Sequence, residues 1–142
     1  MHKVAVVGAG KIGSTIVDLL AGSGAYEVLV IDQSAEALAG LNPRSNARTV
    51  AMAIDDPDRL ATALAGCFAA LNAAPYHLTT TVARAAKQAA AHYLDLTEDV
   101  ASSRIVRELA ADASTAFIPQ CGLAPGFITI AAWELAKHFD EL

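Results

Sequence analysis

VAVVGAGKIG, residues 4–13, decides the fold. Four apolar, mostly β-branched residues run straight into Gly8, Gly10 and Gly13, spaced as G-x-G-x-x-G. An apolar helical pattern follows from Ile12 to Leu20. The order is strand, tight turn, helix, the context this glycine spacing needs before it carries meaning. Gly8 permits a sharp turn out of the strand. Gly10 has no Cβ, so a pyrophosphate can come close to the backbone. Gly13 lets the helix pack tightly on the strand. The free N–H groups and positive dipole end of the helix then face the anion. Lys11 and Ile12 lie within the same turn, and the backbone N–H of Lys11 matters more there than its charge.

EVLVID, residues 27–32, reads as a second buried strand that ends in an acid. Asp32 lies 19 residues beyond Gly13. That is close to the spacing expected of the carboxylate that bonds an adenosine ribose. Gln33 and Ser34 follow, with no Lys or Arg to meet a 2′-phosphate. The expected cofactor is therefore NAD, with NADP less favoured, and Asp32 and Gln33 join the cofactor-contact residues. A turn that binds nothing is the plainer alternative. The strand before it, the helix after it and the acid at its expected place weigh against that.

The chain has 142 residues, a single-domain length, and is 54% hydrophobic with a net charge of −5. Its mean hydropathy of +0.39 provides for a packed core rather than disorder. Scattered Lys and Arg residues count against nucleic acid and anionic membranes as partners. Charge and glycine interrupt the apolar runs before the roughly 20 residues a membrane span needs. The first strand follows directly on residue 3, with no leader segment, so a cytoplasmic protein is expected. Cys67 and Cys121 are far apart, and His2, His92 and His138 are dispersed, so neither a disulfide nor a metal site is expected.

Strands are expected at residues 3–7, 27–31, 48–53, 67–71, 92–96 and 116–119. Helices are expected at 11–22, 34–40, 57–65, 78–91, 101–113 and 128–139, with a loop at 42–46. Asp55, Asp56 and Pro57 make a helix start, an acidic cap followed by Pro in the first turn. Alternating strands and helices predict a parallel sheet with helices on both faces. The expected order is 3-2-1-4-5-6, the doubly wound Rossmann α/β arrangement, with ligands at the carboxyl ends of the strands. The loops that matter then follow Val7, Ile31, Leu71, Asp95 and Pro119.

Three of those loops carry a more specific pattern: NAAPY at 72–76, YLDL at 93–96 and CGLAPG at 121–126. With GAGKIG at 8–13, they resemble the N-terminal NAD(P)-binding domain of the saccharopine dehydrogenase family, which includes lysine 6-dehydrogenase-like proteins. The resemblance spans nearly the whole chain. It implies an oxidoreductase that acts on an amino acid at a C–N bond, with hydride passing to or from nicotinamide. It also implies a second, α+β substrate domain after residue 142, so this piece alone is expected to bind cofactor without turning over substrate. Ala124 stands where saccharopine-reducing members tend to carry an acid, which leaves the lysine-dehydrogenase-like branch more open. A non-catalytic NAD-sensing module is the alternative. It would need no CGLAPG loop. A SAM or nucleotide-sugar enzyme of the same fold is a further one.

Within this frame Asn72, Ala73, Ala74 and Pro75 are expected along the nicotinamide ribose and pyrophosphate, the small alanines allowing close approach. Tyr76, Asp95 and Cys121 are the candidates for the catalytic pocket. Against them stand ordinary roles. Tyr76 and its neighbour His77 sit at a helix start. Asp95 can be a structural acid or a cap, with Thr97 as the other cap for the next helix. Cys121 can be a small apolar filler, and no base lies beside it to activate the thiol. Trp133 and Phe139 read as core, or as a dimer face if left uncovered.

Overall fold

The computed structural model describes residues 1–41 and 47–139. The elements run β1 (His2–Val7), α1 (Lys11–Ser23), β2 (Tyr26–Asp32), α2 (Ala35–Ala39), β3 (Ala47–Ala51), α3 (Pro57–Leu64), β4 (Ala69–Asn72), α4 (Thr79–Gln88), β5 (His92–Asp95), α5 (Val100–Ala110), β6 (Phe117–Ile118) and α6 (Phe127–Ala136). A single 3-10 turn, Tyr76–Leu78, leads into α4. The six strands form one sheet in the order β3-β2-β1-β4-β5-β6, and every pairing is parallel. This is the Rossmann arrangement expected from the alternation of elements.

Side chains alternate across a strand, so β1 and β2 feed two cores. Ala5, Val7, Leu29 and Ile31 pack with Leu60 and Leu64 of α3, Val82 and Ala86 of α4 and Val106 of α5. Val6, Val28 and Val30 face the other way, onto Val17 and Ala21 of α1 and Leu38 of α2. Both faces are covered, which explains why these strands are continuous apolar runs. The alanines of α4 at 83, 85 and 86 are fully buried and bring that helix close to the sheet.

Several boundaries differ from those expected. The fourth strand begins at Ala69 rather than 67, because Cys67 N–H still bonds Leu64 O in the turn that leaves α3. The helix expected at 78–91 stops at Gln88, and Ala90 turns the chain with φ +51° into β5. Gly24 and Gly66, at φ +68° and +75°, close the turns after α1 and α3. Asp56 caps α3 as the acidic start implied, accepting from Asp58 and Arg59 N–H. The cap of α5 is Asp99, not Asp95 or Thr97: its carboxylate accepts from Ser102 N–H at 2.7 Å. The loop expected at residues 42–46 lies outside the described residues.

Register sets the functional end of the sheet. Ile31 pairs with Val7, Val7 with Asn72, and Asn72 with Asp95. These four residues form one row across β2, β1, β4 and β5, so the loops beyond them open on the same side. Helix α6 is different in kind. None of its residues is buried, and Phe127, Ile130 and Trp133 are 62%, 71% and 70% exposed. Trp133 and Phe139 are therefore not core in this chain. Among the described residues no helix is long and apolar enough to cross a membrane.

Candidate functional site

The three glycines do separate work at the top of β1. Gly8 adopts φ +104°, and a Cβ there would lie 2.7 Å from the backbone of Ala73 and Ala74. The turn thus presses directly on the loop after β4. A Cβ on Gly13 would lie 1.9 Å from Gly8 O, so α1 begins in contact with the turn itself. Gly10 has no neighbour within 4 Å of a Cβ, so its open side faces the cleft. It is the N-cap of α1, with no side chain bonding the first-turn N–H groups. Those groups and the helix dipole are suited to an anion.

Asp32 is tied to this turn. Its Oδ2 accepts from Ala9 N–H at 2.6 Å and its Oδ1 from Ser34 N–H at 2.8 Å. The carboxylate is half-buried and fixed, with its remaining lone pairs available to hydroxyls. It borders one of two adjoining clefts. The larger, of about 830 Å³, runs from Asp32 and Gln33 past Gly8, Gly10 and Lys11 to Pro75 and His77. The smaller, of about 470 Å³, lies over the ends of β4 and β5 and is lined by Asn72, Tyr76, Thr79, Leu96 and Thr97. Ile12, Ala73 and Ala74 belong to both, so one trough continues across the switch point between β1 and β4.

Of the expected cofactor-contact residues, all but Gly13 border this trough; Gly13 is buried against the turn. Ile54 and Asp55, which the sequence reading did not select, complete the wall near Asp32. They follow a weak edge strand, and no pattern singled them out. The pocket candidates separate. Tyr76, 65% exposed, lines the smaller cleft, with the His77 ring edge-on at a centroid distance of 5.9 Å.

Asp95 and Cys121 border neither cleft. Asp95 is fully buried, and both its oxygens are engaged: Oδ1 by Thr97 and Gln120 N–H, Oδ2 by the Tyr93 hydroxyl at 2.9 Å. The Cys121 thiol donates to Ile118 O at 3.1 Å, and partial burial followed by the Asp95 charge pushes its pKa up. A raised pKa disfavours the thiolate, so this is not an activated nucleophile.

Beneath the smaller cleft, Asn72 and Asp95 are joined through Tyr93 and Thr79, two residues the sequence pattern did not single out for the site, in one buried polar network. Asn72 Oδ1 accepts from Ala74 N–H at 3.1 Å, which fixes the amide and points Nδ2 toward Thr79 Oγ1 and Tyr93 Oη, at 3.4 and 3.5 Å. Burial first, then the negative Asp95, raises the Tyr93 pKa, so its hydroxyl stays protonated and donates. The available signal was the i, i+2 spacing of Tyr93 and Asp95, which puts both on one face of β5.

Comparison with known proteins agrees with this geometry. A family model for the saccharopine dehydrogenase NADP binding domain matches residues 4–121. Saccharopine dehydrogenase (L-Glu forming) from Saccharomyces cerevisiae superposes with a TM-score of 0.85 at 18% identity, over 97% of this chain and 31% of that one. The chain thus spans about a third of the yeast enzyme. The NAD(P)-binding domain of an exopolyphosphatase-related protein from Archaeoglobus fulgidus superposes at 0.69 with 16% identity, over 96% of this chain and 99% of that one. UDP-glucuronic acid 4-epimerase from Bacillus cereus, solved with UDP-glucuronic acid and NAD, gives 0.67 at 15% identity, over 82% and 55%. At these identities the superpositions speak for the fold alone.

Proposed function

The chain belongs to the saccharopine dehydrogenase NADP-binding-domain family, and on that premise we propose that it is the cofactor half of a dehydrogenase acting on an amino-acid C–N bond. The carrying observation is the continuous trough between Asp32 and Thr97, floored by the glycine turn. The first-turn N–H groups of α1 hold the pyrophosphate. Asp32, held by Ala9 and Ser34 N–H, accepts the adenosine ribose hydroxyls. Ala73 and Ala74 let the dinucleotide lie against the backbone. When bound, the cofactor supplies the hydride acceptor or donor. Tyr76 stands at the rim of the smaller cleft, where a substrate nitrogen would approach. Asp95 acts from beneath by holding the loops. Cys121 takes no covalent part.

NAD is the preferred cofactor in this reading. A 2′-phosphate would meet the Asp32 carboxylate, and Gln33 and Ser34 supply no positive charge. The matching family model is described by NADP, so the test compares both. Titration calorimetry with NAD, NADP and S-adenosylmethionine should show NAD binding at least about tenfold tighter than NADP, the preference vanishing in Asp32→Ala. Binding of S-adenosylmethionine alone would overturn the dehydrogenase reading, and tighter NADP binding would overturn the cofactor choice.

The substrate domain is proposed to follow residue 142 and to cover α6. The exposed Phe127, Ile130 and Trp133 support this, since a helix apolar on every side is stable only when covered. In the isolated chain the same face should drive self-association. Sedimentation should therefore show a concentration-dependent dimer that Trp133→Glu reduces to monomer. A monomer at high concentration would remove the argument from α6.

A further inference from the structure

The polar group beneath the smaller cleft joins three loops that no local motif connects. From the cofactor side, Ala74 N–H donates to Asn72 Oδ1. Asn72 Nδ2 reaches Tyr93 Oη and Thr79 Oγ1. The Tyr93 hydroxyl donates to Asp95 Oδ2, and Asp95 Oδ1 accepts from Thr97 and Gln120 N–H. Cys121 N–H bonds Asp95 O at 2.8 Å. The chain of contacts runs from the loop after β4, through the end of β5, to the loop after β6. All four side chains are at most 3% exposed. Such a network is costly to bury unless it is satisfied throughout, and when satisfied it fixes one arrangement.

The position of this network defines what it can control. Asn72 and Thr79 line only the smaller cleft, whereas Asp32 and the glycine turn line only the larger. With the adenosine ribose at Asp32 and the pyrophosphate at α1, the second mononucleotide lies across β1, over the ends of β4 and β5. Gln120 has φ +64°, a conformation a non-glycine residue rarely adopts, and its N–H is one of those held by Asp95. Gly122 lies against Leu96, where a Cβ would be 3.1 Å from Leu96 O. The loops after β5 and β6 are thus locked together from below.

Resting on the dinucleotide reading above, we infer that Tyr93 and Thr79 are positioning residues for the nicotinamide half of the cofactor, acting through Asn72 and Asp95. They do not touch the adenosine half, and that separates this role from a general contribution to folding. ADP carries the adenosine and both phosphates but neither the second ribose nor the nicotinamide, so it reports on the larger cleft.

The test is calorimetric titration of the chain with NAD and with ADP, for wild type, Tyr93→Phe, Thr79→Val and Thr79→Ser. The expected result is an NAD dissociation constant raised about tenfold in Tyr93→Phe and roughly threefold in Thr79→Val. ADP should bind all variants within about twofold of wild type, and Thr79→Ser, which keeps the hydroxyl, should retain NAD binding. If Tyr93→Phe does not fold, the Thr79 pair carries the same comparison. Equal loss of both ligands, or no loss of either, overturns the inference while leaving the dinucleotide reading standing. A wild-type chain that binds neither ligand overturns both.

Discussion

The two halves of the trough are built by different means. The half around Asp32 is made mainly of backbone: a glycine turn, the first N–H groups of α1, and one carboxylate fixed by two amides. The half over β4 and β5 is made of side chains, with Asn72, Thr79, Tyr93 and Asp95 bonded across three loops. A backbone site tolerates side-chain change until a Cβ collides. A side-chain network fails when one donor or acceptor is removed.

Substitution at glycine should expose the first kind of dependence. Gly13→Ala places a methyl 1.9 Å from Gly8 O, and should cost about 3 kcal/mol or more in urea denaturation. Gly10→Ala meets nothing within 4 Å. It should change stability by less than about 1 kcal/mol and yet weaken NAD binding, because the methyl enters the cleft. Equal stability losses in the two variants would break the distinction between a packing glycine and an access glycine.

The carboxylates give the matching pair. Asp95→Ala strands the Thr97 and Gln120 N–H groups and the Tyr93 hydroxyl in a buried site, and should cost about 3 kcal/mol. Asp32→Ala frees two amides beside an open cleft that water can reach, so about 1 kcal/mol is expected, with most of the effect on NAD affinity. Thermal melts with and without NAD check both. A smaller stability loss for Asp95 than for Asp32 would reverse the comparison.

Alkaline pH reaches the network half through Tyr93, while the Cys67 and Cys121 thiols, whose pKa values burial also raises, add to the same slope from outside it. Burial, and then Asp95, raises the Tyr93 pKa. Above about pH 10 the unfolded chain releases this proton while the folded chain keeps it, so the unfolded state binds fewer protons and stability falls with rising pH. Tyr93→Phe should make that slope shallower. A slope unchanged in the variant would show that another group governs it. The smallest effect is expected at Ala90, whose φ of +51° leads into β5. Ala90→Gly should stabilise by about 0.5–1 kcal/mol in denaturant, relief of strain exceeding the entropy that glycine adds to the unfolded chain. Destabilisation there would mean that the Ala90 methyl contributes packing.

The same contrast explains what could be read in advance. The glycine turn, Asp32 and the strand order follow from local pattern, because each depends on residues close in sequence or on the alternation of elements. The network was not legible. Asn72, Tyr93 and Gln120 meet only after three strands have aligned, and Asp95 looked as much like a site acid as a structural one. Burial with both oxygens engaged points to the structural part. Cys121 lay in a distinctive loop, but its thiol turns to Ile118 O, away from the clefts. Ile54 and Asp55 were hidden because β3 is a weak edge strand rich in small residues. Composition left two readings for Trp133 of α6 and for Phe139 beyond it, core or uncovered face, and among the described residues both lie exposed.

The most direct test of the dinucleotide trough is an NMR titration of the ¹⁵N-labelled chain with NAD. Backbone amide shifts should move at Gly10, Lys11 and Ile12, at Ala73 and Ala74, and onward to Thr97, tracing both clefts in one binding event. Amides at the opposite end of the sheet, Phe68 and His92, should stay in place. Shifts confined to α6, or none at the glycine turn at saturating NAD, would contradict the account.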